Sequence, residues 1–106
     1  MPKCFLVVRA TVTDPARRAA FDRWYRDEHL PQALVVFRAE KGWRFWSETN
    51  PAVHQATYQF ADRAALDRAT APGNFKPLVE EFDRVFPGVT RTREILTLAE
   101  ERDGGS

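Results

Sequence analysis

Glu28 and His29 stand side by side at the end of a helical stretch that Pro31 is expected to close. A histidine, with an ordinary pKa of about 6.5, can take up and return a proton at neutral pH. A carboxylate beside it can orient the imidazole or hold a substrate proton. His29 has a second reading: a side chain that caps the last carbonyls of its helix and suits the negative pole there. Glu28 breaks two local rules. A carboxylate in the last turn opposes the dipole, and at about 100° per residue it shares a side with Phe21 and Trp24. Such conflicts concentrate at functional sites. The other reading is an ion pair with Arg17, Arg91 or Arg93.

Tyr25, Trp43, Trp46 and Tyr58 are of the types that line a pocket for a flat hydrophobic ligand, and equally of the types that fill a core or a subunit interface. Trp24 reads as core. Trp43 and Trp46 fall on opposite faces of one strand, so at least one is expected to face a cavity. Gln55, Thr57 and Gln59 form a polar row, either solvated or supplying hydrogen bonds to a mostly apolar pocket. Arg91 and Arg93 share a face of the last strand, where they either bind a carboxylate or enolate or guard an edge. His54 lies on a face with Ala56 and Tyr58 and reads as a core or edge histidine. Cys4, at the start of an apolar strand face, reads as a buried inert thiol. The chain has no G-x-S-x-G, no P-loop and no glycine-rich dinucleotide fingerprint.

Positioning these groups falls to one domain, since 106 residues leave no room for a second. Residues 1–100 are expected to form it, with 101–106 a polar tail. Hydrophobic residues at 43% and charged residues at 29% describe a globular chain, not a disordered one. Sixteen basic against 15 acidic residues give a net charge of +1, which supplies no footprint for nucleic acid or an anionic membrane. A single cysteine excludes an intrachain disulfide, and the carboxylate spacing around Cys4, His29 and His54 suggests no metal site. The first apolar run stops at Arg9, too short for a secretory h-region of about 7–15 residues. No apolar stretch reaches the roughly 18 residues of a membrane span, so a cytoplasmic protein is expected. Eight Phe and three Trp are many for so small a core, which implies that part of this area meets a partner subunit or a ligand.

Periodicity orders the elements. Lys3 to Val12 reads as a strand, with Cys4, Leu6, Val8, Ala10 and Val12 on one face and Phe5, Val7, Arg9 and Thr11 on the other. Asp14-Pro15 starts a helix that runs to about Leu30. Arg18–Asp22, Asp22–Arg26 and Arg23–Asp27 have the spacing of ion pairs on its solvated side. Gln32 to Phe37 is a further helical turn or an entry loop. Arg38 to Glu48 and Ala52 to Phe60 form a hairpin. Asp62 caps a short helix, Asn74 caps another that carries Phe75, Leu78, Phe82, Val85 and Phe86, and Val89 to Ala99 is the last strand. The order βαββαβ predicts an α+β, ferredoxin-like fold: a four-stranded antiparallel sheet with helices on one face. The uncovered face would be closed by a second copy across a two-fold axis, giving a homodimer.

The run Phe21-Asp22-Arg23-Trp24-Tyr25-Arg26-Asp27-Glu28-His29-Leu30-Pro31, an aromatic helix end followed by Glu-His-hydrophobic-Pro, resembles the dimeric α/β-barrel superfamily, closest to its EthD-like branch. The likeness in length and strand order spans roughly residues 3 to 100. It implies a pairing of sheets into a dimeric α/β barrel and a small-molecule ligand between sheet and helices or within the barrel. Relatives include cofactor-free monooxygenases, lactone isomerases, polyketide cyclases and haem-degrading enzymes. Haem-binding relatives place a histidine on the helix after the third strand; residues 62–88 contain none, so no cofactor is expected. The resemblance points to a cofactor-independent isomerase, cyclase or monooxygenase acting on a small hydrophobic carbonyl or phenolic compound. Glu28 and His29 would be its proton-transfer pair, and Tyr25, Trp43, Trp46, Tyr58 and Arg91 would hold the substrate. A non-catalytic binding dimer using the same cavity is the alternative.

Overall fold

Eight regular elements and one distorted turn follow each other along the chain: β1 (Cys4–Thr11), α1 (Pro15–Trp24), a π-helical turn (Tyr25–His29), α2 (Leu30–Phe37), β2 (Lys41–Trp46), β3 (Val53–Phe60), α3 (Arg63–Ala69), α4 (Pro72–Val85) and β4 (Thr90–Thr97). They are seen in a computed structural model that describes residues 2–105. The four strands pair antiparallel in the order β2-β3-β1-β4, and the helices lie on one side. This is the ferredoxin-like α+β fold expected from the element order. Among the described residues no helix is long and apolar enough to cross a membrane.

Alternation divides the sheet cleanly. Cys4, Leu6 and Ala10 of β1, with His54, Ala56, Tyr58 and Phe60 of β3, face the helices and are buried. Phe21 of α1, fully buried, sits at the centre of a ring of Trp24, Tyr25, Trp46, His54, Phe82 and Phe86, with centroids 5.1–6.4 Å away. Burying a side chain of this size stabilises the fold by about 1.5–3 kcal/mol. On the other face stand Phe5, Val7, Arg9, Trp43, Phe45, Gln55, Thr57, Gln59 and Leu96. Trp43 is 37% exposed, Phe45 50% and Leu96 42%, a high exposure for three large apolar residues on one sheet face.

The helix caps follow the sequence. Asp14 accepts from the Ala16 amide at 2.9 Å, and Asp62 accepts from the Ala65 amide at 2.9 Å. Three boundaries differ from expectation. The hairpin's first strand is Lys41–Trp46, not Arg38 to Glu48, because α2 continues to Phe37 and Arg38 adopts the left-handed conformation (φ 54°) that ends it. The fourth helix starts at Pro72, not at Asn74; the Asn74 amide group donates instead to the Arg68 carbonyl at 3.0 Å. Gly42 lets α2 lie close on β2, since a Cβ there would stand 2.8 Å from Leu34 Cδ2.

The largest difference is at Pro31. It does not end the first helix; the chain passes through it into α2. The Leu30 amide reaches back five residues to the Tyr25 carbonyl, so the helical ladder slips by one residue just before the proline. A proline removes one amide donor and crowds the carbonyl four residues earlier. A widened turn at that point relieves the crowding.

Candidate functional site

The π-turn decides which side chains reach the interior. In a regular helix Glu28 would lie above Phe21 and Trp24. The extra residue rotates it outward, and Tyr25 and His29 become the buried pair while Glu28 is exposed. Glu28 therefore does not stand on the apolar stripe as expected, and it forms no ion pair with Arg17, Arg91 or Arg93 among the described residues. Arg17 instead donates to the Pro87 carbonyl at 3.3 Å, and Arg91 pairs with Asp83.

His29 is boxed by rings. It stacks on the Trp24 indole (centroids 4.5 Å, 21° between planes), and meets Tyr25 edge-on at 4.8 Å and Phe82 at 5.9 Å. Its Nδ1 is buried without a hydrogen-bond partner. Desolvation, aided by the nearby Arg91 charge, pushes its pKa down to about 4, so the ring is neutral at physiological pH. Burial likewise pushes the Tyr25 phenol up to about 12 and that of Tyr58 well above its ordinary value, the Tyr58 hydroxyl partly offsetting the rise at Tyr25. Both tyrosines stay protonated.

These groups converge on a narrow cavity of ≈ 30 Å³ between sheet and helices, whose walls include Tyr25, His29, Tyr58, Phe75, Phe82 and Arg91. That is room for about one or two water molecules. Arg91 reaches it from β4, its guanidinium lying 4.4 Å over the Phe82 ring while Nη1 donates to Asp83 Oδ1 at 2.6 Å. This contact holds the Asp83 carboxyl below its usual range. Beside it lies a cleft of ≈ 550 Å³ that shares Phe75, Val79 and Arg91 with it. The contribution of α4 was not foreseen as a site. Phe75 and Phe82 read as ordinary core positions, and only their place opposite Arg91 makes them walls.

Of the residues singled out in the sequence, the structure brings His29, Tyr25, Tyr58 and Arg91 together. Glu28, Trp43 and Trp46 lie elsewhere. Trp43 points to the uncovered sheet face against Phe5 at 6.4 Å. Trp46 faces the helices at the far edge, where its Nε1 donates to Asp22 Oδ1 at 2.8 Å. Alternation along the strand turns Trp43 to that face, and strand order removes Trp46: β2 is the outer neighbour of β3, while the cavity lies toward β1 and β4. The polar row Gln55, Thr57 and Gln59 also falls on the uncovered face, with Gln55 accepting from Arg9 at 2.9 Å.

A second polar cluster occupies that far edge. Arg44 Nη1 donates both to Asp22 Oδ1 at 2.9 Å and to His54 Nε2 at 3.2 Å. Because arginine can only donate, His54 carries its proton on Nδ1, which is buried and without a partner. Desolvation, then the Arg44 charge, push His54 down to about 4. The Trp46 donor, followed by Arg44, holds the Asp22 carboxyl below its usual range. The expected pairs of Asp22 with Arg18 and Arg26 do not form among the described residues; Arg18 donates to the Val12 carbonyl at 3.0 Å and Arg26 to its neighbour Asp27 at 2.8 Å.

No family model and no curated protein matches the chain. Solved structures do. An EthD-like protein from Ralstonia eutropha superposes with a TM-score of 0.70 at 13% identity over 96% of each chain. A dimeric ferredoxin-like protein from an uncultured marine organism gives 0.67 at 14% identity, over 96% of this chain and 100% of the other. SnoaB, a cofactor-independent oxygenase from Streptomyces nogalater, gives 0.64 at 17% identity, over 95% and 97%. What is shared at such identities is the fold.

Proposed function

We propose, for a chain that has the ferredoxin-like fold of the dimeric α/β-barrel superfamily and its EthD-like branch, that it is a small-molecule-binding homodimer that moves a proton on a small hydrophobic carbonyl or phenolic compound without a cofactor. The observation that carries this is His29: a neutral imidazole with a buried, unpartnered Nδ1, on a cavity it shares with two protonated tyrosines and an arginine. The likeness to a protein described as a cofactor-independent oxygenase agrees with it.

In this reading His29 accepts the proton of an O–H, or of a C–H beside a carbonyl, and becomes an imidazolium. The electron pair left behind spreads onto the substrate oxygen, where Arg91 and the tyrosine hydroxyls are the available donors. Returning the proton to a different carbon gives an isomer and restores the neutral ring. The same enolate adding to an internal carbonyl gives an alkoxide that takes back the proton from the His29 imidazolium, the cyclase type; adding to dioxygen it gives a hydroperoxide that loses water and leaves one oxygen as a carbonyl, the monooxygenase type. Glu28 has no part in it. Incubating the protein with a panel of cyclic 1,3-diketones in deuterated water and following exchange by NMR tests the scheme. His29→Gln is expected to slow exchange by about 10²–10⁴-fold, and Glu28→Gln to leave it unchanged. Exchange no faster with the native protein than with His29→Gln would end the catalytic reading.

Two observations favour the non-catalytic binder instead: no carboxylate orients His29 among the described residues, and the space beside it is only ≈ 30 Å³. Ligand binding by both proteins with exchange by neither would select that alternative.

A further inference from the structure

Phe75, Val79 and Arg91 line both the His29 cavity and a cleft of ≈ 550 Å³ outside it, so the two lie side by side. A space of this size falls within the range of small-molecule sites, about 300–1,000 Å³. The cleft's lining is lopsided in charge: Lys76, Arg91 and Arg93 contribute cations, and no carboxylate contributes at all. Walls of one sign in a low-dielectric cleft concentrate the opposite charge.

Arg93 is the group not accounted for by the fold. Its guanidinium lies 4.3 Å over the Phe75 ring, and Phe75 is in turn stacked on Phe37 at 6.0 Å. Stacking occupies the guanidinium's face and leaves its in-plane N–H fork available, the geometry that suits a bidentate carboxylate. The acids around it are engaged elsewhere. Asp83 pairs with Arg91, and Glu94 points to the opposite sheet face, where it pairs with Arg9 at 3.7 Å. Arg93 and Lys76 are thus without acidic partners among the described residues. The Thr70 hydroxyl, also on the cleft, donates to the Leu66 carbonyl at 3.0 Å, so its oxygen can only accept and offers nothing to an anion.

We infer that the ligand of this cleft is a hydrophobic carboxylate: its anion held by Arg93 and Lys76, its apolar body along Phe75 and Val79, and its far end toward His29. This rests on the reading of the cavity as a binding site and adds the class of ligand that enters it.

Calorimetric titration with 2-naphthoate and with its neutral isostere 2-naphthamide tests the inference and separates it from the reading beneath it. Naphthoate is expected to bind roughly tenfold or more tightly than naphthamide, and to weaken as sodium chloride is raised. Arg93→Gln, at an exposed position, should remove roughly that tenfold preference, weakening naphthoate far more than naphthamide. Val79→Trp, which fills the cleft, should abolish binding of both. Equal affinity for the two probes, unmoved by Arg93→Gln, overturns the anion site and leaves the cavity standing. So does naphthoate binding that survives Val79→Trp, because the anion then sits elsewhere. If neither probe binds a protein whose thermal midpoint is native, both the anion site and the cavity reading fall.

Discussion

Two histidines set the pH response of the molecule. His29 and His54 are both pushed down to about 4 from an ordinary 6.5, chiefly by burial. Their folded values lie below the unfolded one, so as pH falls the unfolded chain takes up protons first. Stability is therefore level above about 6.5, declines between there and about 4, and levels again once the folded rings also titrate. Asp22 acts lower: its contribution is present above 3.8 and is lost as pH falls through its depressed folded value. Thermal unfolding followed from about pH 7 to about pH 5 is expected to show a loss of about 1 kcal/mol or more. His29→Phe, which keeps an aromatic ring against Trp24, should show a shallower loss. A midpoint constant over that range would mean that the rings are not desolvated as described. At this scale the residue types were legible from the sequence and their surroundings were not. Position 29 announced a histidine suited to proton transfer, but nothing local says that its Nδ1 would be dry or that Arg91, 62 positions later in the chain, would share its cavity.

The element that matters most is the turn between α1 and α2. A heptad count put Glu28 over Phe21 and left His29 beside the stripe; one inserted residue reversed them. If the turn exists to accommodate both that insertion and Pro31, deleting Glu28 restores a regular ladder and keeps His29 inward, seven places after Phe21. It also returns Pro31 to a straight helix, at about 3 kcal/mol. The deletion alone should lower stability by that order, and the deletion combined with Pro31→Ala should recover it, as measured by urea unfolding. A double variant no better than the single one would refute this account of the turn. The fourth helix shows the opposite case. Its apolar spacing was read correctly, with Leu78, Phe82 and Phe86 buried, yet Phe75 and Phe82 proved to be cavity walls as well as core. Periodicity reports which face is covered, not what covers it.

At the scale of the whole molecule the extents are 41 × 41 × 21 Å, one sheet plus one layer of helices. Trp43, Phe45 and Leu96 remain half exposed on the bare side. The proposed homodimer would close that side with a second copy. Phe45→Lys, which puts a charge on the bare face, is expected to give a monomer by sedimentation at concentrations where the native chain is a dimer, with the fold retained. A native chain that sediments as a monomer at micromolar concentration would remove the dimer from the account. Trp43 belongs to this scale and not to the His29 cavity, since its strand face turns it away from the helices.

The sequence by itself determined the alternation and spacing that make four strands and their helices, the caps at Asp14 and Asp62, and the surplus of aromatic area over what one small core needs. These follow from local geometry, because a side chain's face is set by its distance along a strand or helix. Only the tertiary structure decided which candidates meet. The order β2-β3-β1-β4 keeps Trp46 away from the cavity and brings Arg91 and α4 to it, and a single slipped hydrogen bond exchanges Glu28 for His29. The first depends on contacts between residues far apart in the chain, which no local pattern encodes; the second is local, but a uniform count of 100° per residue does not show where the ladder slips.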